Sequence, residues 1–351
     1  MREVAFAIPG DPATLTGGYL YARHAMAALP AAGWQPTLVS LPDSFPAPND
    51  AALAATAAIF AGFSADDIVL VDGLAFGAIP APILQRCKAR LAALVHHPLC
   101  VESGLDADTA AQLFASERDA LAEADAVITT SERTAQRVAE MFDVDTARIT
   151  VALPGTAPAA RAHGSVDATV TLLCVATLTP RKAHDVLIAA LSWLDDLPWR
   201  LTCIGSVTRD TDTATALKTQ IAMLDLGSRV ALLGEKSGAD LDAAYAGSDA
   251  FVLASRDEGY GMAFAEALAR GLPIVACAAG AVPDTVPRDA GLLVPVDDVA
   301  ALSQALRRLI TDRALRKTMS DAAWAAGQRL PRWSDTAAKI GGALSPRSAK
   351  A

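Results

Sequence analysis

The sequence predicts an α/β protein built from two doubly wound, Rossmann-like domains. Short apolar runs recur along the chain, among them residues 4–9 and 68–72, and each is followed by a stretch rich in good helix formers. Strands that alternate with helices at this spacing are typical of a parallel sheet covered on both faces. The same plan begins again at residue 169, so the 351 residues are expected to form two domains of ordinary size.

A stretch without periodicity separates the two halves. Residues 154–167 are rich in Pro, Ala and Gly, which is typical of an interdomain linker. We therefore expect an N-terminal domain over residues 1–157 and a C-terminal domain over residues 158–330. A last helical stretch follows within residues 331–345.

Composition and charge argue against several classes of protein. Hydrophobic residues make up 52% of the chain and charged residues 20%, which suits a folded protein rather than a disordered one. The formal net charge of −9 argues against nucleic acid as a partner. No apolar run reaches the roughly 20 residues that a membrane span needs, and the N-terminus enters a strand at once, which predicts no signal peptide. The 5 cysteines form no Cys-x-x-Cys pair, so free thiols in a cytoplasmic protein are expected.

Two loops of the first half carry candidate ligand-binding residues. Gly17 and Gly18 precede a helix predicted over residues 19–29, where paired glycines let a ligand approach the backbone closely. His96 and His97 follow the fourth predicted strand, and open α/β sheets bind ligands at such carboxyl ends. Each feature has a structural alternative, since the glycines can form a plain turn and the histidines can simply cap the strand.

Two cations follow the first strand of the second half. Arg181 and Lys182, together with Pro180, are predicted to open a helix that runs to Leu191. Cations at a helix start oppose the helix dipole, and a bound diphosphate would resolve that conflict. The alternative is a solvated turn.

Residues 255–266 carry the pattern around which the second half is organised. A buried strand leads to Glu258, glycines then allow a tight turn, and a helix begins near Gly261 or Met262. The free N–H groups and the positive dipole end of that helix suit a phosphate. Glu266 lies about one turn inside the helix, so it can face the same ligand.

The spacing of Glu258 and Glu266 resembles the Glu-x7-Glu signature of retaining nucleotide-sugar glycosyltransferases of family 4. The strand and the glycine-containing loop at residues 271–284 extend this resemblance. Members have the GT-B fold, in which two Rossmann-like domains face a cleft. The resemblance therefore implies this architecture, with the helix of residues 331–345 crossing back onto the first domain.

Residues 176–183 resemble a second segment of that family, which reads Gly-Arg-Leu…Lys-Gly and holds the donor diphosphate. Lys182 matches the lysine of this segment. The sequence departs from it in two places, because Ala-Thr stands at 176–177 where Gly-Arg is common and Ala183 replaces the last glycine. Arg181 is the candidate to take over the role of the missing arginine.

The resemblance implies a set of site residues. The donor, a UDP- or GDP-sugar that the sequence does not distinguish, is expected in the second domain. The acceptor, which could be a saccharide, a metabolite or a lipid-linked molecule, is expected in the first. Glu258 and His96 are expected to be catalytic, with His97 as the second choice of histidine. The expected donor-binding residues are Arg181, Lys182, Gly259, Tyr260, Gly261, Met262, Ala263 and Glu266, together with Gly17 and Gly18, whose loop is implied to face both the donor phosphates and the acceptor.

The implied reaction moves a hexosyl group from a nucleoside diphosphate to an acceptor hydroxyl with retention of configuration. No cofactor or metal is expected, because cations and a helix N-terminus can stabilise the leaving diphosphate. Asp210 and Asp212 form an Asp-x-Asp triplet, but they precede a predicted helix and are interpreted as N-cap residues. Two alternatives stay open. A sugar-nucleotide epimerase would need no acceptor, and a non-catalytic nucleotide-sugar-binding protein would bind the donor without transfer or hydrolysis.

Overall fold

The computed structural model describes residues 1–345 of the chain. Over this range the chain forms two compact units, which are residues 1–155 together with the segment from Pro331 onward, and residues 156–330. His163 already donates its backbone N–H to the Ala246 carbonyl at 2.9 Å. Much of the stretch that was expected to be a linker therefore belongs to the second unit.

In the described range, the first unit contains a six-stranded parallel sheet. Its strands are β1 (Arg2–Pro9), β2 (Trp34–Leu41), β3 (Ile68–Asp72), β4 (Arg90–Val95), β5 (Ala126–Thr129) and β6 (Ile149–Val151). Their order is β2-β1-β3-β4-β5-β6, and neighbouring strands run parallel. Val69, Leu70 and Val71 of β3 are completely buried, so both faces of the sheet are covered there.

Within residues 1–155, the helices of the first unit follow its strands along the chain. They are α1 (Gly17–Ala28), α2 (Asp50–Ala61), α3 (Gly73–Phe76), α4 (Ala81–Arg86), α5 (Ala107–Ala122) and α6 (Glu132–Phe142), with short 3-10 turns at Leu29–Ala32, Leu99–Val101 and Thr146–Arg148. Asn49, Asp106 and Ser131 cap α2, α5 and α6, because each side chain accepts a backbone N–H of the first turn. These helix starts are therefore fixed by local sequence.

The second unit repeats the plan, with a further six-stranded parallel sheet among residues 1–345. Its strands are β7 (Val170–Val175), β8 (Trp199–Ile204), β9 (Val230–Leu232), β10 (Ala250–Leu253), β11 (Ile274–Cys277) and β12 (Gly291–Val294). Their order is β12-β11-β10-β7-β8-β9. Every residue of β10 and β11 is buried, as expected for central strands of a sheet covered on both faces.

The helices of the second unit include the one that carries Glu266. They are α7 (His184–Leu191), α8 (Thr211–Met223), α9 (Gly238–Ala246), α10 (Met262–Ala269), α11 (Val282–Thr285), α12 (Val299–Thr311) and α13 (Arg313–Gly327), and a 3-10 turn lies at Pro180–Lys182. Asp210 caps α8 by accepting the Thr213 N–H at 2.8 Å. The interpretation of Asp210 as an N-cap is thus confirmed.

Each sheet has one place where the strand order reverses. In the first unit the reversal lies between β1 and β3, and in the second it lies between β7 and β10. Loops leaving two such strands diverge to opposite sides, and open α/β sheets bind ligands in the crevice that results. The loops after these strands carry most of the predicted site residues.

The last helix, α14 (Trp333–Leu344), packs on the first unit. The Trp333 indole stacks on the His24 ring, with centroids 4.7 Å apart, and meets the Tyr21 ring edge-on at 5.6 Å. The Thr336 hydroxyl donates to the Leu153 carbonyl at 2.7 Å. The C-terminal helix is therefore part of the first unit, although the second unit precedes it in sequence.

Candidate functional site

Arg181 and Lys182 lie on the separate 3-10 turn that follows β7. Ala183 then has a φ of 49°, and α7 begins only at His184, with Asp185 in its first turn. The prediction that the two cations open this helix is therefore wrong, and the conflict with the helix dipole does not arise. Ala183 occupies the left-handed region, which glycine adopts with less strain than alanine.

Lys182 forms a close ion pair with Glu258. Its Nζ donates to Glu258 Oε1 at 2.7 Å, and the Ser255 hydroxyl donates to the same oxygen at 2.6 Å. Arg181 Nη1 lies 3.9 Å from Glu258 Oε2 and donates to the Asp257 carbonyl at 3.1 Å. The structure thus joins the loops after β7 and β10, at the reversal of the strand order.

The Glu258 carboxylate is buried, but neighbouring cations and hydrogen-bond donors stabilise its charge. Burial alone would raise its pKa, but the charges of Lys182 and Arg181, with hydrogen bonds from Lys182 and Ser255, hold that pKa below its usual range. The carboxylate is therefore ionised at neutral pH. Two cations, Lys182 and Arg181, thus converge on one buried carboxylate.

Arg256, which the sequence reading did not select, holds the two loops together. Its backbone N–H donates to the Arg181 carbonyl at 2.8 Å. Its guanidinium pairs with Asp185 at 2.9 Å and with Asp297 at 2.8 Å. The only sequence signal for this role is its position in the loop beside Glu258.

The loop after β11 supports Glu258 from the other side. Ala281 donates its N–H to the Glu258 carbonyl at 2.9 Å. Gly280 has a φ of 52°, and a Cβ atom there would overlap the Glu258 backbone. Because of this close approach, glycine is the residue that fits.

The start of α10 lies directly after this cluster. Gly261 has a φ of 86° and forms the N-cap without a side-chain hydrogen bond, so Met262 and Ala263 occupy the first turn. The first N–H groups of a helix lack partners within it and attract anions. Tyr260 is buried, which raises its pKa to about 12, and its carbonyl accepts the Thr285 hydroxyl at 2.7 Å. This contact fixes the turn that leads into α10.

Glu266 lies in a different environment from Glu258. Its Oε2 accepts the Tyr245 hydroxyl at 2.9 Å. Burial raises the pKa of Glu266, and the hydrogen bond from Tyr245 and the charge of Arg270 oppose that rise. Tyr245, on α9, was not selected from the sequence because nothing local links it to α10.

The first unit brings His96 beside Asp72 and Gly18. His96 Nε2 lies 3.3 Å from Asp72 Oδ2, and Asp72 Oδ1 accepts the Leu74 N–H at 3.0 Å. A Cβ atom on Gly18 would lie 3.5 Å from His96 Cδ2. Of the two predicted histidines, His96 is the one in contact with both residues, whereas His97 is half-buried next to it.

Gly17 and Gly18 belong to the first turn of α1, which starts two residues before its predicted start. Thr16 is the N-cap and makes no side-chain capping hydrogen bond. The glycine pair therefore lies at a helix N-terminus rather than in a plain loop. Asp72, the buried carboxylate beside His96, was missed because its strand reads as wholly apolar until its last residue.

Three potential metal ligands come together from β7, the start of α7 and β8. Ligand atoms of Cys174, His184 and Cys203 are all within 4.8 Å of one another, and all three residues are buried. Cys174 Sγ lies 3.5 Å from His184 Nε2. A hydrogen bond with Cys203 and burial raise the pKa of the Cys174 thiol, which favours the neutral form. The expectation that the protein uses no metal stays a prediction.

Solved structures show the class of fold. Sucrose-phosphate synthase from Thermosynechococcus elongatus superposes with a TM-score of 0.81 at 22% identity, covering 97% of this chain and 98% of that one. Anabaena HepE in complex with UDP-glucose gives a TM-score of 0.75 at 18% identity, with 96% and 98% covered. At these identities the likeness shows the fold alone. The chain has the GT-B fold, as predicted.

The sequence of the second unit shows the family of that unit. Residues 158–325 match the family "Glycosyl transferases group 1", a range that covers most of the second unit. The second unit is therefore a group 1 glycosyl transferase domain. The predicted resemblance to GT-B glycosyltransferases is confirmed.

Two relatives illustrate the family. The chain is 32% identical over 232 residues to D-inositol 3-phosphate glycosyltransferase of Salinispora arenicola, a match that covers 59% of this chain and 52% of the relative. It is 33% identical over 189 residues to GDP-mannose-dependent monoacylated alpha-(1-6)-phosphatidylinositol monomannoside mannosyltransferase of Corynebacterium glutamicum, covering 51% and 48%. The chain thus matches about half the length of these relatives.

Proposed function

We propose that this protein transfers a hexosyl group from a nucleoside-diphosphate sugar to an acceptor hydroxyl, with retention of configuration and without a metal ion. The observation that carries the proposal is the cluster of Arg181, Lys182 and Glu258 at the strand-order reversal of the second sheet. This cluster lies inside residues 158–325, the range matched to group 1 glycosyl transferases.

The cluster suits the departure of a nucleoside diphosphate. When the bond between sugar and phosphate breaks, negative charge grows on the phosphate oxygens, and cations already in place stabilise it. Lys182 and Arg181 supply these cations, and the start of α10 supplies N–H groups. Lys182 is engaged by Glu258 at 2.7 Å, so a diphosphate would share this ammonium group with the carboxylate. A chain that supplies its own positive charge can perform this step without a metal ion.

We assign the transferred sugar to Glu258, in the loop after β10, and the ribose of the nucleotide to Glu266, in α10. Glu258, ionised beside the cations, can stabilise the positive charge that develops on the sugar in an oxocarbenium-like transition state. Glu266, one turn into α10, can accept hydrogen bonds from ribose hydroxyls. Attack on the face from which the phosphate leaves gives the proposed retention.

We assign the acceptor to the first unit, where Gly17, Gly18 and His96 lie at the carboxyl end of the sheet. The helix start at Gly17 can bind a negatively charged group. His96 Nε2 lies 3.3 Å from Asp72 Oδ2, so the carboxylate can orient the ring and leave its other nitrogen for a sugar or acceptor hydroxyl. His97 is the second candidate.

The names of similar proteins guide the choice of substrates. Structural neighbours are known in complex with UDP and with UDP-glucose, and one relative is named as GDP-mannose-dependent, so donors of both bases belong in the assay. Other names specify inositol phosphate and a phosphatidylinositol mannoside. Within residues 1–345, no helix combines the length and apolar character that crossing a bilayer requires. Because the relatives are named for an inositol phosphate and a lipid-linked mannoside, the acceptors tested should include free polyols, saccharides and lipid-linked glycans.

The test is a transfer assay with UDP-glucose and GDP-mannose, with and without EDTA, followed by NMR assignment of the product anomer. We expect one donor to give product of retained configuration at the same rate in EDTA. Loss of the rate in EDTA would refute metal independence, and an inverted anomer would refute retention. Binding of a nucleotide sugar without transfer or hydrolysis would support the binding-protein alternative, and conversion of the donor sugar without an acceptor would support the epimerase.

A further inference from the structure

Tyr245 is held in one orientation beside Glu266. It is completely buried on α9, and its ring stacks on Phe251 of β10 with centroids 6.3 Å apart. The guanidinium of Arg270 lies 4.4 Å from the ring centroid. Its hydroxyl donates to Glu266 Oε2 at 2.9 Å. A phenol packed in this way has little freedom to turn its hydroxyl elsewhere.

Arg270 does not replace Tyr245 as the partner of this carboxylate. Its guanidinium is paired with Asp242, and its contact with Glu266 is a hydrogen bond to the backbone carbonyl at 3.2 Å. Within residues 1–345, Tyr245 is the side chain that donates to the Glu266 carboxylate, and it uses one oxygen. The other oxygen, Oε1, keeps its lone pairs for a ligand.

We propose that Tyr245 is a positioning residue, whose hydroxyl holds Glu266 so that Oε1 faces the ribose and the site prefers ribose to deoxyribose. This inference rests on the proposed function, because it concerns the nucleoside part of the same donor. One carboxylate oxygen can accept from vicinal hydroxyls only when its direction is fixed. Without the phenol hydroxyl, the carboxylate of a partly buried glutamate can rotate or take up a proton, and the geometry for the two hydroxyls is lost.

The test compares ribose preference in wild type and Tyr245→Phe. Calorimetry would give dissociation constants for UDP and GDP and for their 2′-deoxy and 3′-deoxy forms. We expect wild type to bind the ribonucleotide more tightly than either deoxy form. Tyr245→Phe should reduce this preference by roughly tenfold, the usual effect of losing a hydrogen bond to a charged group. Affinity for the deoxy forms should change little, because the phosphate-binding cations are untouched.

Two controls separate positioning from a general loss of structure. Tyr19→Phe removes another buried phenol hydroxyl, which donates to the Pro9 carbonyl at 2.8 Å in the first unit, and it should leave the ribose preference unchanged. Glu266→Gln should lose the preference even with Tyr245 present. Thermal unfolding of all variants checks that they are folded.

The outcomes distinguish this inference from the proposed function. If Tyr245→Phe is folded and keeps the wild-type preference, Tyr245 does not position the carboxylate and the inference is wrong. If wild type binds neither UDP nor GDP, the proposed function itself fails. If wild type binds ribose and deoxyribose forms equally while transferring sugar normally, the function stands and the inference is overturned.

Discussion

The two units share a sheet plan but place different chemistry at the reversal of their strand order. In the second unit, Lys182 and Arg181 both approach the buried carboxylate of Glu258. In the first unit, the buried Asp72 faces the imidazole of His96 at 3.3 Å, beside Gly18. The topology therefore decides where a ligand site forms, and the side chains on the loops decide which ligand fits. Two converging cations suit a diphosphate, whereas a carboxylate–histidine pair suits a ligand with hydroxyl groups.

The largest effect is expected for Glu258→Gln. Transfer should fall by at least about 100-fold, because the charge that stabilises the sugar in the transition state is removed. Affinity for UDP or GDP should stay within about threefold of wild type or increase, since both cations remain and Lys182 is released from its ion pair. Initial rates and calorimetry measure the two quantities. Glu140→Gln, at an exposed glutamate, is the control, and transfer at the wild-type rate by Glu258→Gln would remove Glu258 from the site.

Lys182→Ala should weaken binding of the diphosphate part of the nucleotide. We expect the affinity for UDP or GDP to fall roughly 10- to 100-fold, as for the loss of a charge-assisted hydrogen bond. Affinity for uridine or guanosine, measured in the same titrations, should not change. Lys218→Ala, on the exposed face of α8, provides the matched control. Equal losses for nucleotide and nucleoside would show that Lys182 does not contact the phosphates.

Asp72→Asn tests the role of the first unit in the transfer reaction. Transfer should fall roughly tenfold, because the carboxylate that orients the His96 ring is replaced by an amide. The dissociation constant of UDP or GDP should be unchanged, since the diphosphate is assigned to the second unit. Asp66→Asn, at an exposed position before β3, is the control. A parallel loss of nucleotide affinity would contradict the division of roles between the units.

The smallest effect on activity is expected for Glu117→Gln, which tests how the loop after β4 is held. Glu117 on α5 is 1% exposed and accepts the Leu99 N–H at 2.8 Å, just after His96 and His97. Burial raises its pKa to about 8 from 4.5, against hydrogen bonds from the Leu99 and Cys100 backbone. Between these pH values the unfolded chain loses this proton and the folded chain keeps it, so stability falls as pH rises.

The measurement is the unfolding free energy of wild type and Glu117→Gln from about pH 5 to pH 8.5. The stability of wild type relative to the variant should decrease across this range, by on the order of 1–4 kcal/mol. For the control Glu132→Gln, at an exposed glutamate of α6, the difference in unfolding free energy from wild type should stay constant across this pH range. A constant difference for Glu117→Gln as well would show that Glu117 ionises alike in the folded and unfolded chain.

Much of the fold and part of the site could be predicted from local pattern. The apolar run of β3 and the helix start at Met262 follow from periodicity, helix propensity and glycine placement, and the structure has both. Asp210 was recognised as a cap because capping depends on residues three apart. The 3-10 turn at Pro180–Lys182 was misread as a helix start, because Ala183 gives no local sign of its left-handed backbone.

The partners of the site residues could not be predicted in this way. Tyr245 and Glu266 are 21 residues apart, and Lys182 and Glu258 are 76 apart. Neither separation corresponds to the periodicity of a single helix or strand, so local pattern cannot link the two residues of each pair. Lys182 meets Glu258 because β7 and β10 are neighbours in the sheet, and Tyr245 meets Glu266 because the helices before and after β10 pack side by side.

The sequence by itself determined the alternation of strands and helices, the two-domain plan and the pair of glutamates around the start of α10. Only the tertiary structure decided that Glu258 is ionised between two cations, whereas burial raises the pKa of Glu266 beside a phenol. The physical reason is the distance along the chain over which each effect acts. Periodicity, propensity and capping act over a few residues, but desolvation and charge pairing depend on which distant segments the strand order brings together.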